Sequence, residues 1–149
     1  MRTIKLIVIH CSDTESGKDY SVEDITSWHK QRGFRTIGYH FLIHPDGEID
    51  GAKQGCRSIP EIGAHVRGYN RASIGICYIG GLLYSEPADT RTPAQIDALR
   101  CLIKSLESIY PEIEIVGHRD LSVDLNGDGV IQKQEWMKEC PSFDVKTEL

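Results

Sequence analysis

Ile4-Lys5-Leu6-Ile7-Val8-Ile9, closed by His10, is the stretch on which the fold turns. An unbroken apolar run of this length reads as a buried strand, about Lys5 to His10. A second β-rich run, Ile113-Glu114-Ile115-Val116-Gly117, leads straight into His118. Between them Thr92-Pro93-Ala94-Gln95 is a capping box with proline at the first helical position. The helix it opens carries Ile96, Leu99, Ile103, Leu106 and Tyr110 at core spacing and ends before Pro111. Strands alternating with amphipathic helices predict an α/β fold, a single mixed β-sheet flanked by helices.

The rest of the chain fits around that frame. Ser12 to Tyr20 reads as a polar loop, after which Ser21 caps a helix, with Asp24 three residues on. Val22, Ile25 and Trp28 share its apolar face, and Gly33 stops it. Gly38 to His44 reads as a strand, and the turn Pro45-Asp46-Gly47 folds Glu48 to Asp50 back as a hairpin. Ala52 to Ala72 is irregular, and Ser73 to Ile79 is a further strand, broken by Gly80-Gly81. No repeat or linker interrupts residues 1–149, so a single domain is expected.

Bulk properties exclude several function classes. The net charge is -5 and no basic stripe is present, which argues against nucleic acid as a partner. No stretch approaches membrane-spanning length, and Ile4 to Ile9 is too short for a signal peptide. The expectation is a chain cytoplasmic as synthesised. Five cysteines without regular spacing do not suggest a disulfide framework; Cys11, Cys56, Cys77 and Cys101 read as small buried residues.

Three residues carry the chemistry. His10, His118 and Cys140 together offer two imidazoles and a thiolate, which leaves the fourth tetrahedral position of a zinc ion free for water. Each alone has a plainer reading: a core histidine at a strand end, a histidine paired with Asp120, an ordinary buried thiol. His40 and His44 share a strand face but have no third ligand nearby. Trp28 is expected in the core and His29 in solvent. A cysteine nucleophile at Cys11 beside His10 is disfavoured, because adjacent strand residues point to opposite faces.

The local sequence words sharpen this. Ile9-His10-Cys11-Ser12, Trp28-His29-Lys30, Gly38-Tyr39-His40-Phe41, Gly68-Tyr69-Asn70, Ser73-Ile74-Gly75-Ile76, Thr92-Pro93-Ala94-Gln95 and Cys140-Pro141-Ser142-Phe143-Asp144 resemble the zinc-dependent N-acetylmuramoyl-L-alanine amidases. The likeness is strongest to the small phage lysozyme-type enzymes, with peptidoglycan recognition proteins as relatives. It runs in order along nearly the whole chain. It implies His10, His118 and Cys140 as zinc ligands, Tyr39 and Lys138 as catalytic residues, and His65 and Asn70 near the muropeptide groove. The implied reaction cuts the amide between N-acetylmuramic acid and L-alanine in the cell wall, reached after release, by a monomer. A non-catalytic peptidoglycan-binding domain is the alternative; such relatives typically lack the cysteine.

One segment departs from those phage enzymes. Asp124-Leu125-Asn126-Gly127-Asp128-Gly129-Val130-Ile131-Gln132-Lys133-Gln134-Glu135 fills a connection that is much shorter in them. It matches an EF-hand loop position by position, so Asp124, Asn126, Asp128, Val130 (through its carbonyl) and Glu135 are expected to bind Ca2+. The preceding Arg119 to Val123 lacks an amphipathic helix, which speaks against a paired hand.

Overall fold

A computed structural model describes all 149 residues. In chain order the elements are β1 (Leu6–Cys11), β2 (Thr14–Glu15), α1 (Val22–Gln31), β3 (Phe41–Ile43), β4 (Ile49–Asp50), β5 (Ser73–Tyr78), β6 (Gly81–Leu83), β7 (Glu86–Pro87), α2 (Pro93–Ile109), β8 (Glu114–Gly117) and α3 (Val145–Glu148). The main sheet has the order β4-β3-β5-β1-β8. β1 runs parallel to β5 on one side and β8 on the other, and only β4 is antiparallel to its neighbour.

The sheet is covered on both faces, which explains why β1 is apolar without alternation. Ile7 and Ile9 point into a core built with Leu99, Ile103 and Leu106 of α2. Val8 points the other way, onto Val66 and Val116. On that opposite side α1 packs Val22 and Ile25 against Ile37, Leu42 and Cys77. Both expected capping boxes form: Ser21 Oγ accepts from Asp24 N–H, and Thr92 Oγ1 from Gln95 N–H. Gln95 is itself buried, and its amide donates to Ile43 O and Ile79 O, tying α2 to two strand ends. No helix is long and apolar enough to cross a membrane.

Several expectations change. The loop Ser12 to Tyr20 contains β2, which joins a small second sheet of order β2-β6-β7. The strand expected over Gly38 to His44 shortens to β3; at the start of that stretch the Gly38 carbonyl accepts from Ala64 N–H, and a Cβ on Gly38 would overlap the Ala64 carbonyl. His29 is buried, not solvated: its Nδ1 accepts from Gly38 N–H at 2.9 Å. Cys101 is exposed on α2, not buried. Trp28 is half-buried, packing against the α1 core while also lining the groove described next.

Candidate metal centre

β1 and β8 are in parallel register with Ile9 opposite Gly117. The next residues, His10 and His118, therefore leave the same end of two neighbouring strands, and their rings lie 4.8 Å apart. Parallel strands in α/β sheets place ligand-binding groups at this carboxyl end. The third group comes from the C-terminal segment. Its Cys140 carbonyl accepts from Arg119 N–H at 2.9 Å, and the Tyr78 hydroxyl donates to Pro141 O at 2.7 Å. Phe143 and Val145 anchor the same segment in the core. Gly117 makes room for it: a Cβ there would lie 2.9 Å from Pro141 Cδ.

The donor atoms of His10, His118 and Cys140 all lie within 4.8 Å of one another. Tetrahedral zinc, with bonds of about 2.0–2.1 Å to nitrogen and 2.3 Å to sulfur, separates a nitrogen and a sulfur ligand by roughly 3.6 Å. His10 Nδ1 stands 3.7 Å from Cys140 Sγ. The residues fit the ion. Both imidazoles are held in the neutral form that a metal needs. Burial pushes His10 well below its ordinary value, with His65, His118 and Lys138 adding repulsion. Burial, then the Lys138 charge, brings His118 down to about 4. The Cys140 sulfur also accepts a bond from Cys11 N–H at 3.3 Å.

The cluster sits in a groove of about 590 Å³. Tyr39 and Lys138 line it, as does the half-buried Trp28. The Tyr39 ring centroid is 5.1 Å from that of His10, and burial keeps its phenol protonated by raising the pKa well above the usual value. His65 and Asn70 also line the groove, but both have internal partners. His65 Nδ1 is 2.9 Å from His10 Nε2, and Asn70 Oδ1 accepts from the backbone N–H groups of His65 and Val66. Sequence reasoning missed the bond between His65 and His10. It also missed the groove cations Arg32 and Arg67, for which no word in the sequence gave a signal.

Other candidates separate from this centre. His40 Nδ1 accepts from Gly75 N–H, and His44 lies between Asp19 and Asp50 at 2.7 Å from each; neither has metal-binding company. Asp120 accepts from Gly117 N–H. The Cys11 thiol is turned to Cys140 and Asp13, and its hydrogen bond with Cys140 and its burial raise its pKa, which opposes a nucleophile there.

The calcium expectation finds no support. The acidic side chains of that segment are committed to its own backbone. Asp124 accepts from Gly127 and Gly129, Asn126 from Asp128, and Asp128 from Val130. Glu135 is buried and accepts from Leu125, Asn126 and Gln132. Asp124, Asp128 and Glu135 form no cluster comparable to that of His10, His118 and Cys140. A loop that satisfies its own N–H groups needs no ion to explain its side chains.

Comparison with known proteins converges on one family. The family model described as N-acetylmuramoyl-L-alanine amidase matches residues 1–142. An endolysin of Klebsiella phage KP32 is 36% identical over 141 residues, covering 94% of this chain and 82% of that protein. Among solved structures, the N-acetylmuramoyl-L-alanine amidase LysC from Clostridium intestinale URNW superposes with a TM-score of 0.69 at 28% identity, covering 99% of this chain and 82% of that one. Wild-type Drosophila PGRP-LB gives a TM-score of 0.71 at 25% identity over 99% and 80% of the two chains. With the family model spanning the strand that ends in His10, the turn at His118 and the segment at Cys140, the chain belongs to the N-acetylmuramoyl-L-alanine amidase family.

Proposed function

We propose that this protein is a zinc-dependent amidase that hydrolyses the bond between the lactyl group of N-acetylmuramic acid and L-alanine in peptidoglycan. The observation that carries the reading is the three-donor cluster of His10, His118 and Cys140, open to a groove. An amide is a poor electrophile, so the site must supply a nucleophile and hold a developing oxyanion. Zinc, when bound, would supply Lewis acidity and lower the pKa of a water to roughly 7. The chain supplies the remainder. His10, His118 and Cys140 hold the ion. Lys138, an ammonium on the groove wall, stabilises the oxyanion. Tyr39, kept protonated by its burial, orients the attacking water or relays its proton. His65 and Asn70 shape the wall against which the muropeptide lies.

One chain brings all of these groups together, so no second subunit is needed to complete the site, which supports action as a monomer on the cell wall. The same completeness argues against a receptor without turnover. The test is mass analysis of purified peptidoglycan after incubation with the protein, with and without prior removal of metal. Free stem peptides that begin with L-alanine, formed only by the zinc-loaded protein, are expected. Cut glycan strands, or equal release by the metal-free protein, would overturn the reading.

A further inference from the structure

One titratable side chain beside the metal centre is not needed as a ligand. His65 Nδ1 lies 2.9 Å from His10 Nε2, and His65 Nε2 lies 3.2 Å from Ser73 Oγ. The direction of these bonds follows from His10. It turns Nδ1 toward Cys140 Sγ, so its proton must sit on Nε2 if Nδ1 is to give a lone pair to an ion. His10 Nε2–H then donates to His65 Nδ1. That leaves the His65 proton on Nε2, where it donates to the Ser73 hydroxyl. Both ring protons, on His10 Nε2 and on His65 Nε2, then have an acceptor.

The position of His65 is built by its surroundings. Gly75 and Gly63 clear the space for its ring: a Cβ on either would lie 2.7 Å from it. Asn70 Oδ1 fixes the loop that carries it, through the His65 and Val66 N–H groups at 2.9 and 2.8 Å. Ser73, at the far end, is fully buried at the start of β5, the strand next to β1. The ring is thus held at both nitrogens.

We propose that His65 is a positioning residue for the metal centre. It fixes the tautomer and ring angle of His10 and increases the electron-donating power of its Nδ1. Asn70 serves the same end by holding the His65 loop. Metal-bound histidines generally have such an acceptor on the far nitrogen, most often a carboxylate or a backbone carbonyl. Here a second imidazole takes that place, backed by a hydroxyl. The proposal rests on the reading of His10 as a zinc ligand.

The test measures zinc affinity, by competition with a chromogenic chelator, and the visible absorption of the cobalt-substituted protein. Wild type, His65→Ala, His65→Asn, Ser73→Ala and Cys140→Ser are compared. Removing a partner of this kind weakens metal binding by roughly ten- to a hundredfold. His65→Ala should show that loss together with a changed cobalt spectrum. His65→Asn places a carbonyl oxygen where Nδ1 stands and should recover most of both. Ser73→Ala should move the spectrum in the same direction by less. Wild-type affinity and spectrum in His65→Ala would overturn the proposal, as would an Asn variant no better than Ala. If His65→Ala does not fold, an unchanged spectrum in Ser73→Ala decides against it. Equal zinc binding by wild type and Cys140→Ser would instead show that the ligand set is wrong, and the proposal would fall with it.

Discussion

Residue by residue, the proposed function divides the site into groups that would hold the metal and groups that would act on substrate. Cys140→Ser replaces a thiolate with an alcohol that stays protonated, so it should lose most zinc and turnover while keeping the fold. Metal analysis together with muropeptide hydrolysis checks this, and full zinc occupancy in the variant would remove Cys140 from the ligand set. Tyr39→Phe and Lys138→Ala should instead leave zinc content unchanged and lower turnover by roughly a hundredfold or more. Near wild-type rates in both would dissociate these residues from the chemistry. That His10, His118 and Cys140 come together was legible in the sequence through their local words, above all the apolar run into His10 and the Cys140-Pro141 step. What the sequence did not carry was the third dimension of His65. Its bond to His10 spans 55 positions and depends on a loop folding over Gly75. The burial of His29 was hidden for a similar reason: its partner, Gly38 N–H, lies in an irregular segment that no periodicity announces.

At the scale of elements, long apolar runs and capping boxes were readable because each is decided locally. β1, α1 and α2 all form where their caps and periodicity put them. The small sheet was not readable. β2 and β7 are two residues each, and β2 is held by bonds such as Thr14 N–H to Gly80 O and Ser16 N–H to Leu82 O, which impose no side-chain pattern. The segment from Asp124 to Glu135 gives the opposite lesson: a full motif match whose side chains serve the backbone. Glu135 is its keystone, with three N–H groups converging on one buried carboxylate. Glu135→Gln keeps the shape but replaces one acceptor oxygen with a donor. A loss of about 1–3 kcal/mol is expected in calcium-free buffer, measured by chemical denaturation. An unchanged denaturation midpoint would mean that the loop is held elsewhere.

For the molecule as a whole, the histidines set how stability depends on pH. Burial holds His29 and His40 down to about 4, and each uses Nδ1 to accept a backbone N–H that protonation would break. Their folded values lie below the unfolded value of about 6.5, so the unfolded chain takes up protons first. Their contribution is complete above about pH 6.5 and is lost as pH falls toward 4. His44 works in the other direction. Burial alone would lower its pKa, but Asp19 and Asp50 outweigh that and raise it. Its contribution is present below about 6.5 and fades as pH rises through its folded value. His10, His65 and His118 are lowered in the same sense, so the depressed histidines outnumber the raised one and predict a melting temperature that falls between about pH 6.5 and 4. His29→Asn or His40→Asn, which keeps an acceptor oxygen and does not titrate, should flatten that slope; identical slopes in wild type and both variants would place the acid sensitivity elsewhere. The order in which the centre is assembled has its own consequence. Cys140 stands 130 positions beyond His10, and the two meet only after β1 has been flanked by β5 and β8. Contacts between such distant parts of a chain form late, and synthesis delivers the N-terminal part first. A half-made molecule has one histidine of the centre in place and no thiolate to meet it. Turnover at the proposed centre therefore waits until the segment that carries Cys140 has been made and packed against β1.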